Sequence, residues 1–512
     1  VAIADQLCQS FLDLWWHFDP AAATRAGVSG HDGRLGAFDA ESVRQHVAAL
    51  RSIAGVVEDL DIEDTDEEID RTALLDHLRV LLFRFEHEHP YQRNPALWIE
   101  HAGEALDGLL ARPGDDADAV ESALARLAAL PRFFADARAT LRRPPLFLVE
   151  TALAQLDGLA LQLDATAAHF SIRDAAMLGE AAASVDRMRE ALGSTITPDP
   201  APGAAAIGED EVDRRLHFEH ASVHNGAEVW RASLRLVTEA EQEVVALAAA
   251  IDPGAPWREV YQRARDAAED STDLCQAYSG AIGAALRFAA VHELAAPPRV
   301  SLEVVTAPAY ARVLEPIAFY RPTGGKVAAA VVVAGGDQIA IPWRAARLGA
   351  PGIHLHSARC NALVSLVRRH IAASSTPRGW GLYAVELMRS KGFAPEPASV
   401  LAERVEFLRH AHLALVDVGL HTRQLTPLTA IGHLTAHLPV DQRTALADVR
   451  RIACRPMEAC AAILGRGELH RLRDDVRAAR GAEFTLEQFH HDLFAFGGLP
   501  VPLIRWGLGL DG

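Results

Sequence analysis

Helical periodicity dominates this chain and leaves little room for any other architecture. Over roughly the first 190 residues, apolar side chains return every three or four positions, as in Phe11, Leu14, Trp15 and Phe18, or Leu74, Leu78, Leu81 and Leu82. Asp19-Pro20 ends the first helix, and Arg142-Arg143-Pro144-Pro145 breaks the pattern again. The Pro-rich stretch from Thr197 to Gly203 reads as a long surface loop. Helices resume from about Asp210 to Leu294, and then the texture changes. Arg299 to Thr306, Val327 to Val333 and Gln338 to Ile341 are β-branched or apolar runs bounded by Pro and Gly, which predicts short strands. Gly324-Gly325 and Gly335-Gly336-Asp337 supply the expected turns. The expectation is a mostly α chain with a small β-sheet (α+β). It forms one large domain: a helical half over 1–295, short strands within 296–345, and a second helical half over 346–512.

Composition narrows the function classes. The 512 residues are 50% hydrophobic and 23% charged, as in soluble globular proteins. The net charge of -18, concentrated near Glu58 to Glu68 and Asp115 to Glu121, argues against nucleic acid and anionic membranes as partners. Both acidic runs, and the neighbouring Glu86 to His89 and His217 to His224, read as solvated polar faces. Five scattered cysteines without a C-x-x-C pair support neither a disulfide framework nor a zinc ribbon. Neither a secretion signal nor an apolar run approaching the ~20 residues of a membrane span is visible, so the expected location is cytoplasmic. Lys326 and Lys391 are the only lysines, so positive charge here is almost all guanidinium, which grips carboxylates with two parallel hydrogen bonds.

The segment RLGAPGIHLH, residues 347–356, carries the chemistry most open to interpretation. A short β-rich stretch precedes it and a long helical pattern follows, the setting in which zinc hydrolases place an H-E-x-x-H ligand helix. Here Arg347 and Leu348 stand where the His-Glu pair would be. His354 and His356 titrate near working pH without special tuning and are candidate general bases. Two positions apart on a helix, they point roughly 200° apart, so one of them faces a given cavity. Cys360 lies six positions after His354, the wrong side of a helix for a Cys–His pair with it. The chain has no G-x-S-x-G elbow, P-loop or G-x-G-x-x-G.

Several segments, in a fixed order, resemble one family. The Asp19-Pro20 to Val28 segment, Asn94-Pro95 and Phe319-Tyr320-Arg321-Pro322 fall where similar residues are expected. Gly379-Trp380-Gly381-Leu382-Tyr383-Ala384 resembles E-G-W-A-L-Y-A-E, and Asp417 to His421 resembles D-x-G-L-H. Arg451 followed by Pro456, Phe489-His490 and Leu499-Pro500 complete the series. Together they resemble the bacterial domain-of-unknown-function family numbered 885, regarded as zinc-peptidase-like hydrolases of largely helical fold. The resemblance implies a large helical, gluzincin-like architecture.

The departures fall on the metal chemistry. Where the family has H-E-x-x-P-G-H-H, this chain keeps Pro351, Gly352 and His354 but has Arg347, Leu348 and Ile353. The Glu opening E-G-W is Arg378, the one closing the motif is Val385, and two arginines expected before Asp417 read His410 and Leu413. Two guanidinium groups would then occupy a cation site and repel a metal, so neither metal nor other cofactor is expected.

The leading expectation is a metal-independent enzyme on a repurposed metallopeptidase-like scaffold, with a small molecule as its partner. It would perform general acid–base chemistry (hydrolysis, elimination or cyclisation) on a carbonyl- or carboxylate-bearing substrate, in a biosynthetic setting. His354 would serve as base, with the Tyr383 hydroxyl, Arg347 and Arg378 stabilising negative charge. By the resemblance, Tyr320, His356, Asp417, His421, Arg451 and His490 are candidate substrate-binding residues. The alternatives are an inactive ligand- or partner-binding homologue, its site plugged by Leu348 and Ile353, and a metallohydrolase with substitute ligands. A structural role, with Arg347 or Arg378 paired to Glu386 or Asp417, also remains open.

Overall fold

Short polar side chains punctuate the helices of the computed structural model, which describes residues 2–268, 273–294, 298–322, 324 and 328–510. Asp39 accepts hydrogen bonds from the amides of Glu41 and Ser42 and starts the helix Ala40–Glu58. Asp64 and Asp116 likewise cap Thr65–Phe83 and Ala117–Thr140. The two acidic runs therefore do more than face solvent. Asp66, Glu67 and Glu68 fill a first helical turn, where negative charge opposes the positive end of the helix dipole. Two other expected solvated faces are partly interior. Glu88 is ion-paired to buried Arg215, and buried His220 places Nδ1 3.2 Å from Ser375 Oγ.

The chain is mostly α with one small sheet, as its periodicity predicts. Three strands, β1 (Leu302–Thr306), β2 (Ala318–Arg321) and β3 (Ala329–Val333), lie in the order β1-β3-β2. Central β3 pairs parallel with β1 and antiparallel with β2 and is buried along its length, which suits its Ala-Ala-Val-Val-Val sequence. Strand β2 is absent from the sequence expectation, being four residues between Pro316 and Pro322 at the sheet edge. Gln338 to Ile341 is not a strand: Gln338–Ala340 is a 3-10 turn leading into the helix Ile341–Leu348, whose first turn holds Pro342. Val327 of the expected second run, Lys326 and Gly325 lie outside the described residues.

One apolar core unites the two helical halves. Phe11, Leu74, Trp98 and Leu156 from the first share it with Leu355, Trp380 and Phe489 from the second. The Thr197–Gly203 loop is pinned to the body, Asp199 exchanging backbone hydrogen bonds with Pro144 and Leu146. Leu146–His169 is long and apolar enough to cross a bilayer by length and composition; here Leu156 and Leu159 are fully buried in the protein core. The helix Pro397–His421 is buried on nearly every side, in keeping with apolar residues distributed all round it.

Backbone contact sets the position of the second half. Ser375–Ser390 crosses Glu458–Arg480 at Gly379 and Gly465, where a Cβ on Gly465 would overlap the Ser375 carbonyl. This explains the first glycine of the Gly379-Trp380-Gly381 motif without reference to chemistry. Gly465→Val is expected to destabilise the fold by about 1–3 kcal/mol, because neither backbone can retreat. Urea unfolding checks this, and an unchanged midpoint would refute the close crossing.

Candidate functional site

A cavity of about 480 Å³ lies between strand β2 and the helices Ile341–Leu348, Ile353–Asn361, Ser375–Ser390, Pro397–His421 and Gln442–Cys454. Among the described residues, seven arginines and four carboxylates line it. Most of that charge is internally matched. Arg344 grips Glu406 with two hydrogen bonds of 2.6 and 2.9 Å, and Arg409 places one nitrogen 2.6 Å from both oxygens of Asp448. Burial alone would raise the Glu406 carboxyl, but Arg344 and Arg409 bring it down to about 2. Arg451 and Arg455 share Glu315, Arg378 pairs with Glu458, and Arg369 donates to the Leu363 carbonyl.

Arg347 differs from its neighbours. It lines the cavity yet has no hydrogen-bond or ion-pair partner among the described residues. Burial lowers its pKa to about 10; Glu406 pulls the other way, and Arg409, Arg378 and Arg344 add to the lowering. It stays charged at neutral pH. Gly381 leaves the room it needs, since a Cβ there would press on the Arg347 side chain.

The imidazole facing the cavity is His356, not His354. His354 turns to the other side of its helix, with Nε2 3.0 Å from the Val300 carbonyl oxygen and Nδ1 3.2 Å from the Tyr320 hydroxyl. A carbonyl can only accept, so Nε2 carries the proton and Nδ1 accepts from Tyr320. The Tyr320 phenol lies on the cavity wall, raised by burial to about 12. Strand alternation sets this direction. Tyr320 packs with Val331, Leu348 and Ile353, whereas Phe319 packs with Ala330 and Val332. His356 pairs instead with Cys360 one turn on, Nδ1 to Sγ 3.4 Å; burial pushes the thiol up to about 12 and the imidazole down to about 4.

The other expected residues divide by position. Arg451 is on the wall. Tyr383 is not: five positions from Arg378, it points roughly 140° away around the helix, into a buried pair with His490. Tyr383 Oη and His490 Nε2 are 3.2 Å apart beside Trp380, and neither residue reaches the cavity. Asp417 accepts the amides of Met457, Ala459 and Cys460 at 2.8–3.0 Å, fastening the start of Glu458–Arg480. One turn later, His421 Nε2 donates to the Ile452 carbonyl at 3.0 Å. Asp417 and His421 therefore strap helices together rather than touch a ligand. Leu348 and Ile353 contribute to the wall without filling the space.

Sequence reasoning missed His410, Arg409, Glu406 and Arg344. Glu406, Arg409, His410 and Leu413 recur at helical spacing on one helix, and all line the cavity, a signal available in the sequence. His410 has no hydrogen-bond partner among the described residues; burial, then Arg347 and Arg409, hold its pKa well below the usual value, so it is neutral. Among the described residues, no three His, Cys, Asp or Glu side chains are arranged as they stand to hold a metal. Tyr320, Arg378 and Glu458 also border a second cavity of about 570 Å³, in whose wall carboxylates outnumber arginines.

Buried imidazoles make this region acid-sensitive. His356, His421 and His490 each titrate at about 4 when folded, against 6.5 ordinarily, so between those values the unfolded chain binds protons that the folded chain refuses. The imidazole contribution to stability should be level above pH 7 and fall as pH drops from 6.5 to 4, by roughly 1.4 kcal/mol per unit per histidine, while Asp417 and Glu468, whose carboxyls burial raises to about 7, contribute in the opposite sense. Histidine ring proton shifts followed by NMR from pH 7 to 5 test this, and rings that titrate near 6.5 in the folded chain would overturn it.

Two solved structures share the architecture. A "putative lipoprotein" from Colwellia psychrerythraea superimposes with a TM-score of 0.83 at 16% identity, covering 99% of each chain. A "putative lipoprotein of unknown function" from Shewanella oneidensis gives 0.77 at 17%, covering 99% of this chain and all of the other. At such identities the likeness shows the fold alone. No curated protein sequence matches the chain. The family described as "Bacterial protein of unknown function (DUF885)" matches residues 20–507, and the chain belongs to it.

Proposed function

We propose that this chain is a metal-independent enzyme using acid–base chemistry on a small carboxylate- or carbonyl-bearing molecule. The observation that carries this reading is Arg347, a charged, unpartnered guanidinium on the wall of a cavity otherwise braced by matched ion pairs. A substrate carboxylate, or an oxyanion formed during reaction, supplies the missing partner through two parallel hydrogen bonds. A site plugged by Leu348 and Ile353 would be expected to lack a volume of about 480 Å³, which weighs against the inactive alternative.

The groups around Arg347 suit proton transfer. His410 is neutral because Arg347 and Arg409 disfavour its charged form. An anion seated on Arg347 cancels part of that repulsion and raises the His410 pKa towards the working range, so binding itself arms the base. Tyr320, whose O–H rests on His354 Nδ1, donates that proton to the leaving group or carbonyl by turning towards the cavity, and the phenolate so formed is reprotonated as His410 gives up the proton it took. His354, first expected to be the base, thus acts as a positioning residue for Tyr320. Arg378, already paired with Glu458, holds the boundary with the second cavity.

The gluzincin-like origin of the scaffold is part of the proposal. Arg347, Leu348, Ile353 and Arg378, at positions resembling the family's H-E-x-x-P-G-H-H and E-G-W motifs, all line this one cavity. That convergence supports a former metal site rebuilt around guanidinium groups.

Small carboxylic acids, but not their amides, are expected to bind in calorimetry and to raise Tm. Arg347→Met should weaken that binding roughly 10- to 100-fold, the loss of one charge-assisted interaction of about 1.5–3 kcal/mol, while the fold is retained. Equal binding by the variant would reject the anchor. Once a substrate is identified, Tyr320→Phe should lower turnover and leave carboxylate affinity unchanged; a selective loss of affinity instead would make Tyr320 a binding group.

A further inference from the structure

Three histidines gather away from the cavity, where neither the resemblance nor the proposed chemistry uses them. His412 lies on Pro397–His421, two positions beyond His410 and therefore on the opposite side of the helix. His433 and His437 stand one turn apart near the end of Pro427–His437, so both project from one face. The ring centroids are 5.0 Å apart for His412 and His433, 5.3 Å for His412 and His437, and 4.6 Å for His433 and His437.

These separations have a chemical meaning. Three imidazoles around one tetrahedral zinc, with Zn–N of roughly 2.0–2.1 Å, place their ring centres about 5 Å apart. Nδ1 of His412 and Nε2 of His433 face each other in a hydrogen bond of 2.9 Å, and they need part by only about 0.4 Å to reach the spacing of two nitrogens on one tetrahedral zinc. His412 is 0% exposed, its Nε2 has no partner, and its one hydrogen-bonded neighbour is another imidazole. The orphaned Nε2 lies on the ring edge turned away from His433, so it is the Nδ1 edge, bonded to nothing but another imidazole, that a shared cation would satisfy. The side chains as they stand do not enclose a metal, so the set closes only if exposed His437 swings its ring towards His412 Nδ1 and His433 Nε2. The nearest basic group, Arg258, is held on the Ala436 carbonyl at 2.7 Å.

We propose that His412, His433 and His437 form a three-histidine site for a divalent transition metal, zinc above all, with water in the fourth position. The pattern of neutral nitrogen donors without carboxylates favours zinc, copper or nickel over magnesium or calcium. Bound metal clamps Pro427–His437 onto the long helix whose other face carries Glu406, Arg409 and His410. It is a second site, and it stands whether or not the cavity is catalytic.

The test uses the full chain stripped with chelator and titrated with zinc chloride alone in a calorimeter. One equivalent should bind at micromolar Kd or tighter, with a rise in Tm. His433→Ala and His437→Ala, the less buried pair, should each weaken binding at least ~tenfold with circular dichroism unchanged, whereas Arg347→Met should bind zinc normally. Copper(II) loaded at the site should show nitrogen hyperfine structure that His437→Ala reduces. Absence of zinc binding at about 100 µM, or undiminished binding in either histidine variant, would overturn the assignment.

Discussion

Asp417 holds the site together from a distance. Its carboxylate, wholly buried, takes three backbone amides at the start of Glu458–Arg480, and His421, on the helix that carries Asp417, holds the Ile452 carbonyl of Gln442–Cys454. Between those attachments run Arg455 and Glu458, with Arg451 just ahead, so the strap fixes the wall on which three cavity charges stand. Burial pushes Asp417 up to about 7 against the pull of its three donors, the mark of a carboxyl placed for architecture despite its desolvation. The Gly379–Gly465 crossing presses Arg378 onto the same wall from the other side.

Within that frame, the cavity is an arrangement of neutralised charges with one exception. Arg344 with Glu406 and Arg409 with Asp448 are rigid, short and buried, and such pairs are costly to break singly. They therefore act as fixed dipoles, set before any ligand arrives. Arg347 sits among them with its charge unmatched, and its field reaches His410. Positive potential, a neutral imidazole and a directed phenol thus line one cavity.

How much of this was legible in the sequence depends on range. The helices were, because periodicity is a local signal, and the family showed in the order of its motifs. Strand β2 was not, since four residues between prolines carry too little pattern, and the run from Gln338 was too short to separate a turn from a strand. Arg347 and Arg378 could be placed together by resemblance, but their partners could not: Arg378 meets Glu458 eighty positions on, a relation only folding creates. The choice between His354 and His356 turned on the rotational phase of a single helix, which the flanking Gly352 sets by packing on the Arg347 backbone. Tyr383 failed for the same reason, its helix presenting Arg378 to the cavity and the phenol to the core. His410, read as an eroded arginine, lay in plain view on a face with Glu406 and Arg409.

Strand β2 gives the site an unusual vulnerability. Its register on β3 sets Tyr320 opposite Val331 and Phe319 opposite Val332, with the two rings on opposite faces. Because faces alternate at every residue, a slip of one position would exchange a phenol for a plain benzene ring in front of His354. Tyr320 would move to the place of Arg321, whose ion pair with Asp107 would be broken, so the slip would disturb packing as well as chemistry. The place of the phenol in this cavity is thus written in strand register, which the Arg321–Asp107 ion pair at the end of the same strand helps to hold.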